Sequence, residues 1–265
     1  MNTPTPHPDS SLSERNTAPP DILPRFVLQM LQGLIVLTLP VVLILGSVRL
    51  VMSEAFLWLE YNRPGFPEDP YGFTTEDRLE YGPYGVRYLV EERDISYLAE
   101  LEIGGKPAFN RDELRHMEDV QDVTQAALRV LLLGTALLAI GFIPLARQPR
   151  LRPRLRQALR WGGWLTFGVF MITTAVMLVS WGFFFEAFHD VFFEAGTWQF
   201  YKSDTLIRLY PEQFWFDAAL SIGLLASLGA GLCVAIPWYW ECRLARQAAT
   251  PSDADTDPAY PVEAT

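Results

Sequence analysis

Cysteine is nearly absent from this chain, with two copies in 265 residues. Cys233 lies inside an apolar run and Cys242 just beyond it, so the polar stretches hold no pair and a disulfide framework is excluded. With no histidine or other general base beside them in sequence, both thiols read as small packing residues. Histidine is almost as scarce, with three copies: His7 in a polar tail, His116 and His189. No HExxH pair occurs and neither folded stretch holds a second histidine, so a zinc or iron site is unsupported. Internal repeats are lacking. The first apolar run has no small-residue cleavage site after it and is too long for a signal-peptide core, so it reads as a retained span.

Charge is missing where the chain is most apolar. Half of the residues are hydrophobic and the net charge is −10, but neither is spread evenly. Four runs, roughly Phe26 to Met52, Val123 to Phe142, Trp161 to Phe185 and Phe214 to Trp240, have nearly charge-free centres. Each matches the roughly 20 apolar residues needed to cross a bilayer. The fold expected is an all-α membrane protein with four transmembrane helices and a mainly helical extracytoplasmic cap. The membrane unit covers residues 22–245, and the Pro/Thr/Ser-rich ends, 1–21 and 246–265, read as disordered cytoplasmic tails. Pro40 bends span one, which a lipid-embedded helix tolerates.

Six arginines, from Arg147 to Arg160, crowd the connection between spans two and three. Such a cluster stays in the cytoplasm, which puts both termini inside and residues 54–122 and 186–213 outside. Neither aromatic interleaving nor a fold signature accompanies the arginines, so nucleic acid is not a partner.

The first outer segment carries seventeen acidic and seven basic residues. Thr74 to Asp77 marks a helix start, and Leu79, Val86 and Leu89 give a helical stripe that Pro83 should kink or split in two. Gly104-Gly105-Lys106-Pro107 is a turn. Rings with polar tips, from Tyr61 to Tyr97, suit a cap lying on the membrane surface. Asn110 and Glu113 then form a capping box that opens a helix running unbroken from water into span two. In the second outer segment, Phe183 to Glu194 reads as a continuation of span three. Gly196 to Trp198 is a turn, Ser203 caps a short helix from Asp204, and Pro211 suits the first turn of span four.

His116 and His189 therefore stand at one depth, on the outer edge of different spans, where an imidazole can titrate near neutrality beside lipid. Asp119 and Glu186, at helical spacing from the two rings, could accept a ring N–H and orient it. Asp204 and Arg208 either pair with each other or offer Arg208 to a phosphate or carbonyl oxygen. Trp198 and Trp215 read as interface anchors. Two other readings remain open on these residues. One is a bis-histidine haem electron carrier, and the other is a non-catalytic assembly or sensing protein whose acidic cap binds a partner.

Several blocks carry a family resemblance. They are Phe66-Pro67, Gly72-Phe-Thr-Thr-Glu-Asp-Arg78-Leu, Arg87-Tyr-Leu, Phe109-Asn, Glu113-Leu, His116-Met-Glu-Asp119-Val, Phe188-His189, Phe193-Glu-Ala-Gly196-Thr-Trp198-Gln-Phe200, Ser203-Asp204-Thr-Leu-Ile and Leu209-Tyr-Pro211-Glu-Gln-Phe-Trp-Phe. Their order and spacing resemble the four-span bacterial integral membrane protein family that includes the lipoprotein intramolecular transacylase. The resemblance implies a multi-pass protein of the bacterial cytoplasmic membrane, acting on lipid-modified protein N-termini or membrane lipid. It implies an acyltransferase that moves an acyl chain from the diacylglyceryl group to the N-terminal cysteine amine, with His116 and His189 catalytic and no cofactor or metal. Gln121 stands where the family often has lysine, a departure that would alter specificity if that side chain met substrate.

Overall fold

The structure, a computed structural model, describes residues 23–249. Four helices in it have the length and apolarity to cross a membrane. These are α1 (Arg25–Val51), α5 (Arg111–Arg147), α6 (Arg152–Val179, entered through a 3-10 turn at Pro149–Leu151) and α9 (Glu212–Ala249). The first of them packs against the other three, and α6 also lies along α9. Their outward faces are apolar and bare: Leu132, Met171, Ile172 and Val179 are all at least two-thirds exposed. A water-soluble bundle would hide such a surface. Here the molecule is a membrane protein and the surface is its contact with lipid.

Lipid tails do not drive apolar helices together, so the bundle relies on close backbone approach at small residues. A Cβ on Gly141 of α5 would sit 2.8 Å from Cγ1 of Ile35 and 3.2 Å from the Leu31 carbonyl oxygen. On Gly163 of α6 it would sit 2.9 Å from the Ala230 carbonyl oxygen. At one end, Leu28, Ile35, Leu145, Leu151, Leu155 and Ala158 form a compact core. Near it Glu241 of α9 accepts from Arg160 at 2.6 Å and pairs with Arg156 at 3.6 Å, so two of the clustered arginines are tied to the last helix.

The cap occupies the other end. It comprises α2 (Glu54–Tyr61), α3 (Thr75–Val90), α4 (Ser96–Ala99), a two-residue hairpin (β1, Glu102–Ile103; β2, Lys106–Pro107), α7 (Trp181–Phe192) and α8 (Thr205–Leu209). Its core gathers Leu57, Tyr61, Tyr88, Leu98, Phe109 and Leu209 with Met117 of α5 and Phe214 of α9. The cap is thereby seated on the ends of the bundle. Two buried hydroxyls stitch it: Tyr61 donates to the Leu209 carbonyl at 2.9 Å, and Tyr210 donates to the carbonyl of Gly82.

Several local expectations need correction. Pro83 does not divide its region, because α3 is one helix from Thr75 to Val90. The flanking Gly82 and Gly85 let Tyr61 and Tyr210 press directly on the backbone there, and that packing outweighs the missing amide. Span three does not continue into the outer segment. Ser180 takes an extended conformation (φ −155°, ψ 96°), and its hydroxyl accepts from the Phe183 amide to start α7 afresh. Ser203 does not cap α8. That position belongs to Asp204, and the free amide of Leu206 is met from another helix. Of the two tails, 1–22 and 250–265 lie outside the described residues, whereas 246–249 continue α9.

Candidate active site

Two helix starts place His116. The Asn110 side chain accepts from the amides of Asp112 and Glu113, and the Glu113 carboxylate returns to the Asn110 amide at 2.8 Å. This box fixes the first turns of α5 and so the direction of His116, one turn further on. The other oxygen of Glu113, a residue only 1 % exposed, accepts the Leu206 amide at 2.7 Å. One buried carboxylate thus caps α5 and α8 together and couples the helix of His116 to the chain before α9. The second imidazole comes from α7. Its Nδ1 lies 2.7 Å from the Phe185 carbonyl oxygen, one turn back. A carbonyl only accepts, so Nδ1 carries the proton and neutral His189 presents Nε2 as an acceptor.

The two rings meet. Their centroids are 6.5 Å apart with planes 22° from parallel. Phe193 touches both, at 5.0 Å from His116 and 5.6 Å from His189. Phe200 closes on His116 at 5.3 Å, and Trp198 lies 4.5 Å from His189. Two buried polar atoms in this nest, Nδ1 of His116 and Nε1 of Trp198, have no hydrogen-bond partner among the described residues. Orphaned groups of this kind cost about 1–3 kcal/mol each, so they are rare unless something else completes them.

His116 precedes the apolar run of α5 and His189 sits on α7, which is not one of the four spans, and burial governs their charge. His116 is pushed down to about 4 by burial and by the neighbouring imidazole. His189 is lowered too, by burial, against the opposing pull of the Phe185 carbonyl and of Asp190. At neutral pH the site holds two uncharged imidazoles.

The other expected site residues have different employment. Asp119 is half-buried and leaves Nδ1 of His116 unpartnered, so it does not orient that ring. Glu186 is exposed, and the backbone carbonyl of Phe185 does the work expected of it. Asp204 and Arg208 do not pair. Asp204 accepts the Tyr201 amide, while Arg208 binds Asp69 at 2.9 Å and lies 3.5 Å over the Phe73 ring, fastening the 63–73 loop to α8. Trp198, half-buried, packs its indole 4.5 Å from the His189 ring and so belongs to the site. Gln121 faces the protein: its amide donates to the Tyr88 and Arg93 carbonyls at 2.8 and 2.9 Å, closing the end of α3 with help from Gln125. The departure at that position is taken up by backbone carbonyls. Phe193, filling the space against both rings, stands where a macrocycle between them would have to lie, which removes the ground for bis-histidine haem ligation.

The model of the lipoprotein intramolecular transacylase Lit family matches residues 33–215. The chain belongs to that family. It is therefore placed among membrane acyltransferases. A relative from Aquifex aeolicus (strain VF5), itself an uncharacterised protein, is 29 % identical over 196 residues, covering 74 % of this chain and 87 % of its own. Among solved structures, the membrane-integral lipoprotein intramolecular transacylase Lit from Bacillus cereus superposes with a TM-score of 0.67. It is 19 % identical, over 84 % of this chain and 99 % of that one. A form of the same protein with one histidine changed to alanine gives 0.65 at 18 % identity, over 83 % of this chain and 96 % of its own. At that identity the likeness concerns the fold.

Proposed function

We propose that this protein is a lipoprotein intramolecular transacylase of the bacterial cytoplasmic membrane, with both termini cytoplasmic. It moves an acyl chain from the diacylglyceryl group to the α-amine of the same N-terminal cysteine. The observation that carries this reading is the meeting of two neutral imidazoles at the junction of bundle and cap, walled by aromatic rings.

The chemistry follows from their protonation. The amine nitrogen attacks the ester carbonyl and gives its proton to Nε2 of His189, which the Phe185 carbonyl both orients and stabilises as it becomes charged. His116 resists protonation, so it remains a neutral N–H donor and steadies the oxygen that gains negative charge, help worth about 3 kcal/mol. Collapse breaks the ester C–O bond, and the proton on His189 passes to the departing glycerol oxygen. One ester is exchanged for one amide and one free hydroxyl. Because amine and ester share a molecule, much of the entropic cost of bringing them together is absent. Phe188 and Phe192, both about half exposed on α7, line a lipid-facing route for the acyl chains.

Mass spectrometry of lipoprotein N-termini, from cells with and without the protein, tests the reading. The acylated amine and free glycerol hydroxyl should depend on it, and H116A and H189A should each abolish the product while the protein stays in the membrane. N-termini that are identical with and without the protein would overturn the assignment.

A further inference from the structure

Beside the histidine nest lies a second concavity that the reaction leaves unused. Asn110, Asp112 and Arg115 from the first turns of α5 face Thr197, Gln199 and Phe200 of the loop after α7, across an open polar cavity of about 500 Å³. That loop turns at Gly196, whose φ of 86° a side chain would strain. Phe200 belongs to both places, since it lines the cavity and its ring lies 5.3 Å from that of His116. The cavity is therefore one aromatic ring away from the reacting centre. Two of its charged groups are uncommitted: the Arg115 guanidinium and the Asp112 carboxylate enter no ion pair or hydrogen bond among the described residues, and both side chains are exposed, whereas Asp204 on the same wall accepts the Tyr201 amide. Free groups of both signs at one cavity suit a ligand that carries donors and acceptors together.

A lipidated polypeptide has that character. Its acyl chains stay in the bilayer, whereas the chain that continues from the cysteine carbonyl must leave toward water. The apolar Phe188 and Phe192 side of the nest cannot take it, because an unpaired peptide group is costly there. We propose that the cavity beside Phe200 is the subsite for the first two or three residues after the acylated cysteine. Arg115 takes carbonyl or carboxylate oxygens of this segment, and Asp112 takes its N–H groups. Such a segment, when extended, reaches roughly 7–10 Å, enough to pass one ring and enter the cavity. This subsite rests on the transacylase reading and adds a requirement to it: the enzyme distinguishes its substrates by polypeptide as well as by lipid.

The test uses the full-length protein in detergent and two synthetic substrates. One is diacylglyceryl-cysteine ending in an amide, and the other is the same compound extended by three polar residues. The extended substrate should be favoured by about tenfold or more in kcat/KM, as expected for hydrogen bonds to charged groups. R115A and the cavity-filling Q199W should each bring that preference toward one, chiefly through the KM of the extended substrate. Equal use of the two substrates by the unmodified protein, or a preference that survives both variants, would overturn the subsite. Binding of both compounds to H189A protein is read in parallel. If neither compound is converted by the unmodified protein, the transacylase reading fails; equal affinities then overturn the subsite as well, while tighter binding of the extended compound that Q199W abolishes sustains it.

Discussion

His116 and His189 titrate in a direction that fixes how activity must respond to pH. Burial lowers both, and a cation whose folded pKa is depressed is neutral over a wider range than usual. His116, at about 4, stays uncharged through the whole working range. The acid limb due to His189 falls below the ordinary histidine value, so the two imidazoles contribute little to the rise in rate toward pH 8. The rate should then climb with the neutral fraction of the substrate amine, whose pKa is roughly 8, and level off above it. Initial rates of amide formation from pH 5 to 9 check this, and a plateau already reached at pH 6.5 would contradict it. Glu113 offers a separate test. Burial raises its pKa, against the amides that favour its charged form, so its carboxylate is held in place at some expense. E113A strips caps from two helices at once and should lower stability by about 1–4 kcal/mol, with faster hydrogen exchange at Leu206 than in the parent protein.

At the scale of elements, α6 provides an internal comparison. Gly163 backs directly onto the Ala230 carbonyl of α9, whereas Gly168, on the same helix, has nothing within 4 Å of a Cβ. G163L should cost about 1–3 kcal/mol or more through overpacking of the α6–α9 contact. G168L should be neutral or slightly stabilising, because leucine favours helix and here only meets lipid. Thermal denaturation in detergent ranks the two, and equal losses would mean that close approach at Gly163 is unimportant. The same elements show where local pattern was informative. The capping boxes at Thr74 and Asn110 were legible because side chain, amide and helix start lie within four residues. The break at Ser180 was not legible, since one serine in an apolar run has the same composition whether it caps a helix or crosses one. Pro83 was misleading for the opposite reason: its local rule is strong, but two tyrosines distant in sequence pack against its turn.

For the whole molecule, orientation is the testable property. On the proposed topology the arginines between α5 and α6, two of them tied to Glu241 near the end of α9, face the cytoplasm and the acidic cap lies outside. A single cysteine engineered at Glu68 should react with a membrane-impermeant thiol reagent in intact cells. One placed at Thr265 should react only after lysis. Labelling of Thr265 in intact cells would reverse the assignment, and with it the side of the membrane on which substrate is met.

What the sequence alone determined is the set of properties that depend on neighbours along the chain: four spans, an acidic cap, helix starts at Thr74 and Asn110, and two histidines at one depth. Crossing a bilayer constrains every residue of a long run, so its signature is strong without any tertiary contact. The tertiary structure alone decided which groups serve those histidines. The Phe185 carbonyl replaced Glu186, an orphaned Nδ1 replaced the expected Asp119 bond, Arg208 went to Asp69, and Glu113 capped a helix some ninety residues away. Each of these is one short-range bond between a few atoms, set by how helices cross in space, and such a crossing leaves no periodicity in the chain to read.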